Sequence, residues 1–266
     1  FGRQDRLKRN LRLHGEFDRL IKKLLPSGGA LSAGERVAAA AYALLGKPYR
    51  ADVLEEGGPE RLIVQWRAFD CVTLVETAVA LAATAAAARP DFACFASRLR
   101  AIRYRKGRIG GYASRLHYFT DWLADNEAKR ILRDRTRELG GVSCRKRIDW
   151  MSAHRDRYPA LTDPGTFRSI RAAERRLSAR SWRCLLKEQF RRAEGAIREG
   201  DIVAIASAEE GIDVCHVGIA VRRRGRVHLL HASSAAGRVI VSDETLYAYL
   251  RGGKQRSGVL IAEGTG

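Results

Sequence analysis

From Gly200 onward the chain is a series of short β-branched runs, "DIVAIA", "CHVGIAV", "RVHLLHA" and "RVIVS", each separated from the next by turn residues. Runs of this length and composition between turns read as strands of an antiparallel sheet. Most of what precedes Gly200 has a helical period instead. Phe17, Leu20, Ile21, Leu24 and Leu25 recur at i, i+3, i+4 spacing. "PSGGA" breaks that pattern, and Ser32 then stands where it can cap a second helix, "AGERVAAAAYALLG", which closes at Gly46. Helices first and strands later point to an α+β fold.

The longest apolar run, Val72 to Ala88, contains Glu76 and is largely alanine. It suits a buried helix rather than a membrane span, with Arg89-Pro90 marking its end. "RLIVQW" before it reads as a short strand or extended arm. "EEGGPE" and "RYRKGRIGGY" have loop character, and "SRLHYFTDWLADNEAKRIL" begins as extended chain and finishes as a helix. Thr166 to Arg198 reads as a basic helical stretch, in which Trp182, Leu185, Leu186 and Phe190 form an amphipathic stripe. Residues 1–30 are therefore expected to form a helical extension. Residues 31–266 form a single α+β domain with a basic helical insertion at about 166–198.

Lys and Arg number 49 against 30 Asp and Glu, a net charge of +19. That favours anionic partners, but the basic residues are interleaved with acids rather than gathered in a tail. No helix-turn-helix, zinc finger or RNA-binding motif accompanies the charge, so a nucleic-acid partner is not expected.

The stretch "FDCVTLVE" places an isolated cysteine, Cys71, at the start of the apolar helix. Its residues leave four roles open: core filler, half of a disulfide, metal ligand or nucleophile. Five cysteines is an odd number, and no CxxC spacing exists, so a zinc ribbon is absent. Asp70 is a candidate N-cap, which would put Cys71 at the first helical position. There the macrodipole and a nearby histidine would lower the thiol's pKa toward ~4–7, and free backbone N–H groups would face a developing oxyanion.

A base is available in "CHVGIAVRRRGRVHLLHASS". A four-residue loop, Arg222 to Gly225, would set His216 directly opposite His231 on one face, with His228 on the other. A three-residue loop would separate the pair. Gly218 and Ala220 share the face of His216, a shallow surface on which the Cys71 helix would fit. Cys71 as nucleophile, His216 as base and His231 as orienting group then make a triad.

These residues carry a resemblance. "GDIVAI…CHVGIAV…HLLHASS" resembles the sheet half of NlpC-type cysteine peptidases, a papain-like fold. "LGKPYRADVLEE", "FDCVTLVE", "GYASRLHYFTDW" and "GDIVAI" more closely resemble a bacterial branch of it, the N-acetylmuramoyl-L-alanine amidase-like cell-wall proteins. The likeness runs from about Leu31 to Ile261. It implies a papain-like core and an amidase acting on peptidoglycan or muropeptides. It also implies catalytic Cys71, His216 and His231, and substrate contacts at Tyr49, Asp70, Ser114, Arg115 and His117. No metal or cofactor is implied. Stem-peptide cleavage between D-glutamate and the diamino acid, and a non-enzymatic wall-polymer or nucleic-acid binding module, are the alternatives. The resemblance further implies a periplasmic or envelope location; a leader removed before Phe1 and a monomeric protein are separate expectations. Many NlpC-type enzymes read Asp-Cys-Ser-Gly where this chain has Asp70-Cys71-Val72-Thr73, so the serine that holds a free substrate amine is missing.

Overall fold

A computed structural model describes residues 3–25 and 31–265, the first ten of them by backbone alone. The expected break at "PSGGA" lies outside the described residues. Five helices come first: α1 (Arg3–Leu24), α2 (Ala33–Tyr42), α3 (Cys71–Ala85), α4 (Phe92–Arg103) and α5 (Phe119–Ala128). After them come β1 (Leu132–Asp134), β2 (Val142–Cys144), α6 (Trp150–Ala153), α7 (Pro164–Ala179), β3 (Trp182–Leu186) and α8 (Phe190–Ala193). The last part holds β4 (Ile202–Ser207), β5 (Val214–Arg223), β6 (Arg226–Ser233), β7 (Arg238–Thr245), α9 (Leu246–Gly252) and β8 (Arg256–Gly264). The strands form one antiparallel sheet in the order β2-β3-β8-β4-β5-β6-β7, with β1 also paired to β8. The fold is α+β.

All six residues of β4 are buried because helices cover both faces of the sheet. Ile202, Ala204 and Ala206 join Val217, Ile219 and the apolar side of α1 to α4 in one core. Val203 and Ile205 meet Phe190, Leu246 and Leu250 of α8 and α9 in another. Burial on both faces removes the alternation of a half-exposed strand, which is why "DIVAIA" is nearly continuous in apolar residues. A third core, with Tyr118, Ile148, Met151, Leu161, Ile170 and Leu177, holds the segment between β2 and β3 together.

Local signals set the helix starts. Ser32 accepts the Glu35 N–H, and the Glu35 carboxylate accepts the Ser32 N–H at 2.8 Å, a capping box. Of the α1 stripe, Phe17, Leu20, Ile21 and Leu24 are buried, whereas Leu25, past the end of the helix, is 42% exposed. α3 is buried along almost its whole length. It ends at Ala85, a turn before the proline that the sequence marks.

Two expectations need correction. The basic stretch at 166–198 is not one helix: α7 stops at Ala179, and Trp182–Leu186 is a strand. Leu185 and Leu186 pair with Val259 and Gly258 of β8. A short apolar run fits helix and strand periods equally well, so the ladder partner decides it. The β5–β6 hairpin, likewise, has a two-residue loop, since Arg223 pairs with Arg226. Arg224 and Gly225 both have positive φ, at 49° and 77°, the type I′ geometry whose twist suits a two-residue hairpin.

Candidate active site

Cys71 opens α3 because Asp70 caps it. The Asp70 carboxylate accepts the Thr73 N–H at 2.7 Å, and Thr73 Oγ1 accepts the Asp70 N–H at 3.1 Å. Such a cap is worth about 1 kcal/mol. The Asp70 carboxyl is thereby spent on its own helix rather than turned to a ligand.

The two-residue loop shifts the hairpin register by two from the expected one. Extending the observed ladder sets His231 opposite Gly218 and His216 two pairs farther along, so the histidines are diagonal neighbours. They remain on one face because the side-chain period of a strand is two. His216 Nε2 and His231 Nδ1 lie 2.6 Å apart, with the rings edge to face.

The face on which α3 sits is the opposite of the expected one. α3 lies in the core that holds Val217, Ile219 and Val221, whereas Ala220 belongs to the core of α8 and α9. A Cβ on Gly218 would come within 2.8 Å of Leu229 Cδ1 and the Leu230 carbonyl, and that side of β5 is the one covered by α8 and α9. His216, at the start of β5, instead lines the same cavity as Cys71. A bulge there moves the ladder from Ile205↔His216 to Ala206↔Val214, and bulges re-aim side chains.

The result is a cavity of about 210 Å³ lined by Cys71, His117, Asp213, Cys215 and His216 together with Tyr112, Tyr118, Trp122, Trp150 and Tyr158. His231 is buried behind His216, against the Tyr249 ring at 5.8 Å. A larger cavity of about 350 Å³ between α2, α3 and α4 contains no cysteine, histidine or carboxylate.

The electrostatics differ from a preformed thiolate. Burial, then the Asp70 carboxylate, pushes the Cys71 thiol up to about 12, opposed by the backbone N–H groups of Val217, Val72 and Cys71 itself. Burial lowers His216 to about 3, with the His231 ring and the Arg256 charge adding to it. His231 falls to about 4 from burial and Arg256. At neutral pH the site rests as a neutral thiol beside neutral imidazoles, because desolvation outweighs the helix dipole.

The other expected contacts are placed as follows. His117 lines the cavity, with Nε2 2.9 Å from the Tyr112 carbonyl, and burial lowers it to about 3. The Tyr49 phenol is raised by burial, with Cys71 and Asp70 nearby. Arg115 is buried behind the cavity wall, 3.0 Å from Glu55, 3.5 Å from Glu60 and 4.7 Å from the centre of the Tyr112 ring. Ser114 Oγ donates to the Gly111 carbonyl at 2.6 Å and accepts the Gly110 N–H. Neither lines the cavity: Ser114 bonds within its own loop, and Arg115 is engaged by the acids of the 55–60 loop. The cysteines Cys71, Cys94, Cys144, Cys184 and Cys215 are free thiols. His228 Nδ1 meets the Ser242 carbonyl at 3.0 Å.

Four contributors have no motif to announce them. Asp213, fully buried, accepts the Thr120 N–H and hydroxyl at 2.7 Å each, tying the start of α5 to the bulge before His216. Glu76 accepts from Trp122 Nε1 at 3.2 Å, fixing an aromatic wall of the cavity. Tyr249 and Arg256 close the histidine pair from behind, the guanidinium 3.6 Å above the ring. The only sequence hint was an acid, Glu76 or Asp213, set among apolar residues.

A sequence model of the N-acetylmuramoyl-L-alanine amidase-like family matches residues 39–259. Among solved structures, an N-acetylmuramoyl-L-alanine amidase from Bacteroides uniformis is similar at 32% identity and a TM-score of 0.83, covering 88% of this chain and 99% of that one. A protein from Bacteroides fragilis named as a putative xylanase is similar at 33% identity and 0.79, covering 84% and 98%. A Legionella pneumophila protein at 17% identity shares the fold, with a TM-score of 0.69 over 98% and 96% of the two chains. No curated protein matches. With most of its length matched and the same architecture in relatives above 30% identity, the chain belongs to the N-acetylmuramoyl-L-alanine amidase-like family.

Proposed function

We propose that this chain is a cysteine-dependent amide hydrolase with a papain-like, NlpC-type core, cutting the bond between N-acetylmuramic acid and L-alanine in peptidoglycan fragments. One observation carries the reading: Cys71, at the first turn of a capped helix, shares a cavity with His216, whose Nε2 is engaged by His231.

The proton inventory is consistent. We assign His216 the tautomer that donates from Nε2 to His231 Nδ1, 2.6 Å away, which leaves its Nδ1 as the basic nitrogen for the thiol. His216 takes the Cys71 proton as the sulfur attacks the carbonyl carbon, so the thiolate is made only as it is used. Backbone N–H groups at the start of α3 stabilise the oxyanion. The imidazolium returns its proton to the leaving amine, and the C–N bond breaks to give a thioester. Water, deprotonated by His216, then attacks the thioester; the acid leaves and the thiol is restored. Asp70 supports the nucleophile by capping its helix, His117 lines the cavity and Tyr49 lies near Cys71 outside the lining. A wall substrate places the action outside the cytoplasm, and the site needs only one copy of the chain.

Glycoside hydrolysis, suggested by the name of the Bacteroides fragilis neighbour, would need two carboxylates facing the substrate. In this cavity Asp213 is spent on Thr120, and Glu55 is paired with Arg115.

The test is to incubate the protein and its Cys71→Ala variant with defined muropeptides and identify products by mass spectrometry. Release of an intact stem peptide, lost in the variant, is the expected result. A cut inside the peptide moves the bond and keeps the mechanism. Equal product from both proteins, or none from either, overturns the cysteine reading.

A further inference from the structure

The cavity around Cys71, at about 210 Å³, is smaller than the roughly 300–1,000 Å³ of pockets that enclose a whole small-molecule ligand. It takes the reacting amide and its immediate neighbours, and the rest of a muropeptide must lie along the adjoining surface. The four-residue helix α6 forms a wall of the cavity through Trp150 and Met151. Its other side, through Asp149, Ser152 and Ala153, lines a second and larger groove of about 730 Å³. The two spaces therefore share one thin wall.

The second groove is cationic. Arg145 and Arg147 line it from the chain before α6, and Arg171 and Arg175 from α7. Arg171 and Arg175 are both exposed and four residues apart, so they stand on one helix face. Of these four, only Arg147 has a carboxylate partner among the described residues, Asp149 at 2.6 Å. The groove's other acid, Glu174, is buried and turned inward, accepting from the Tyr118 hydroxyl at 2.7 Å and the Ser152 N–H at 3.0 Å. Arg145 Nε donates to the Ser178 carbonyl at 3.2 Å, whereas Arg171 and Arg175 present guanidinium forks that match a carboxylate in a bidentate fashion.

The bond chemistry says which end of the substrate carries that charge. The carboxyl of the N-acetylmuramoyl group is consumed in the scissile amide. Ionised carboxylates belong to the peptide on the amine side. We propose that the groove beyond α6 is the subsite for the peptide arm, with Arg171 and Arg175 binding its free carboxylates. The enzyme therefore prefers substrates whose stem carboxylates are unamidated. This rests on the amidase reading above.

The experiment compares the parent with Arg171→Glu/Arg175→Glu and with the milder Arg171→Gln/Arg175→Gln, checked for native circular dichroism. The probes are a muramyl tripeptide with free carboxylates and the same compound with them amidated. On the free acid, KM rises about tenfold or more in the charge-reversed variant with kcat unchanged, as expected for losing charge-assisted hydrogen bonds. The Gln variant gives a smaller rise, and the amidated probe is bound equally by all three. An unchanged KM, or an equal rise on both probes, overturns the proposal. So does a variant that loses retention on nucleic acid or a phosphate polymer while its muropeptide KM stays put. Binding of the same two probes to Cys71→Ala, with and without the arginine changes, is read by calorimetry. A parent without turnover whose Cys71→Ala form still prefers the free acid through these arginines refutes the amidase reading and keeps the groove.

Discussion

Replacing Glu76 should cost more than replacing any residue in contact with the substrate. Its side chain is 2% exposed and lies 2.7 Å from Arg103 Nε, itself 3% exposed. Arg103 also donates to the Ile63 carbonyl at 2.6 Å, and Trp122 Nε1 donates to the other carboxylate oxygen. Glu76→Ala leaves a guanidinium buried without its counter-charge, a loss of about 3–5 kcal/mol. For a chain of this size each kcal/mol moves Tm by roughly 2–4 °C, so a fall of about 6–20 °C follows. Arg103→Met alone strands the carboxylate and costs a similar amount. Glu76→Leu/Arg103→Met removes both charges and should recover much of the loss, because an apolar pair of similar volume often matches a buried ion pair. Thermal melts followed by circular dichroism on the single and double variants form a double-mutant cycle. The reasoning fails if Glu76→Ala melts within about 2 °C of the parent, or if the two losses add in the double variant.

His216 lies near 3 and Cys71 near 12. The acid limb of kcat/KM should therefore fall well below the usual histidine value of about 6.5, and a limb at pH 6–7 would point instead to a preformed thiolate–imidazolium pair. His231→Gln, which disturbs the tautomer of His216, should lower kcat by about 10²-fold or more with little change in KM, and steady-state kinetics decide this. Because burial lowers His117, His216 and His231 below their unfolded values, the unfolded state binds more protons in acid. The stability they hold is complete above about pH 6.5 and drains away as pH falls toward 3–4; Tm measured from pH 7 to 4 should drop, less steeply in His117→Phe. Asp213→Ala leaves the Thr120 N–H and hydroxyl without their acceptor, and should loosen the bulge that aims His216. It is expected to lower kcat more than it raises KM.

Local chemistry made parts of this molecule readable in advance. Ser32 and Asp70 announce helix starts because a cap is a contact within four residues, and the first position after Asp70 is where Cys71 stands. The histidine pair survived a wrong loop length because a shift of two residues preserves the face. Non-local contacts were not readable. Trp182–Leu186 satisfies a helical stripe on paper, and only β8 as neighbour makes it a strand. The face of β5 that carries Ala220 is taken by α8 and α9 and the other by α3, and no pattern within β5 encodes that. Arg115, read as a ligand contact, is claimed by Glu55 and Glu60, acids from a loop far away in sequence.

The sequence alone determined the α+β division, the isolated cysteine at a helix start, the two histidines sharing a face, and the family those motifs resemble. All of these rest on short-range periodicity and capping, which neighbours along the chain settle. Tertiary structure decided the protonation states, the depth of the cavity and the arginine groove beyond α6. Burial and the juxtaposition of distant charges set those properties, and both depend on which segments meet in space rather than on which residues are adjacent in the chain.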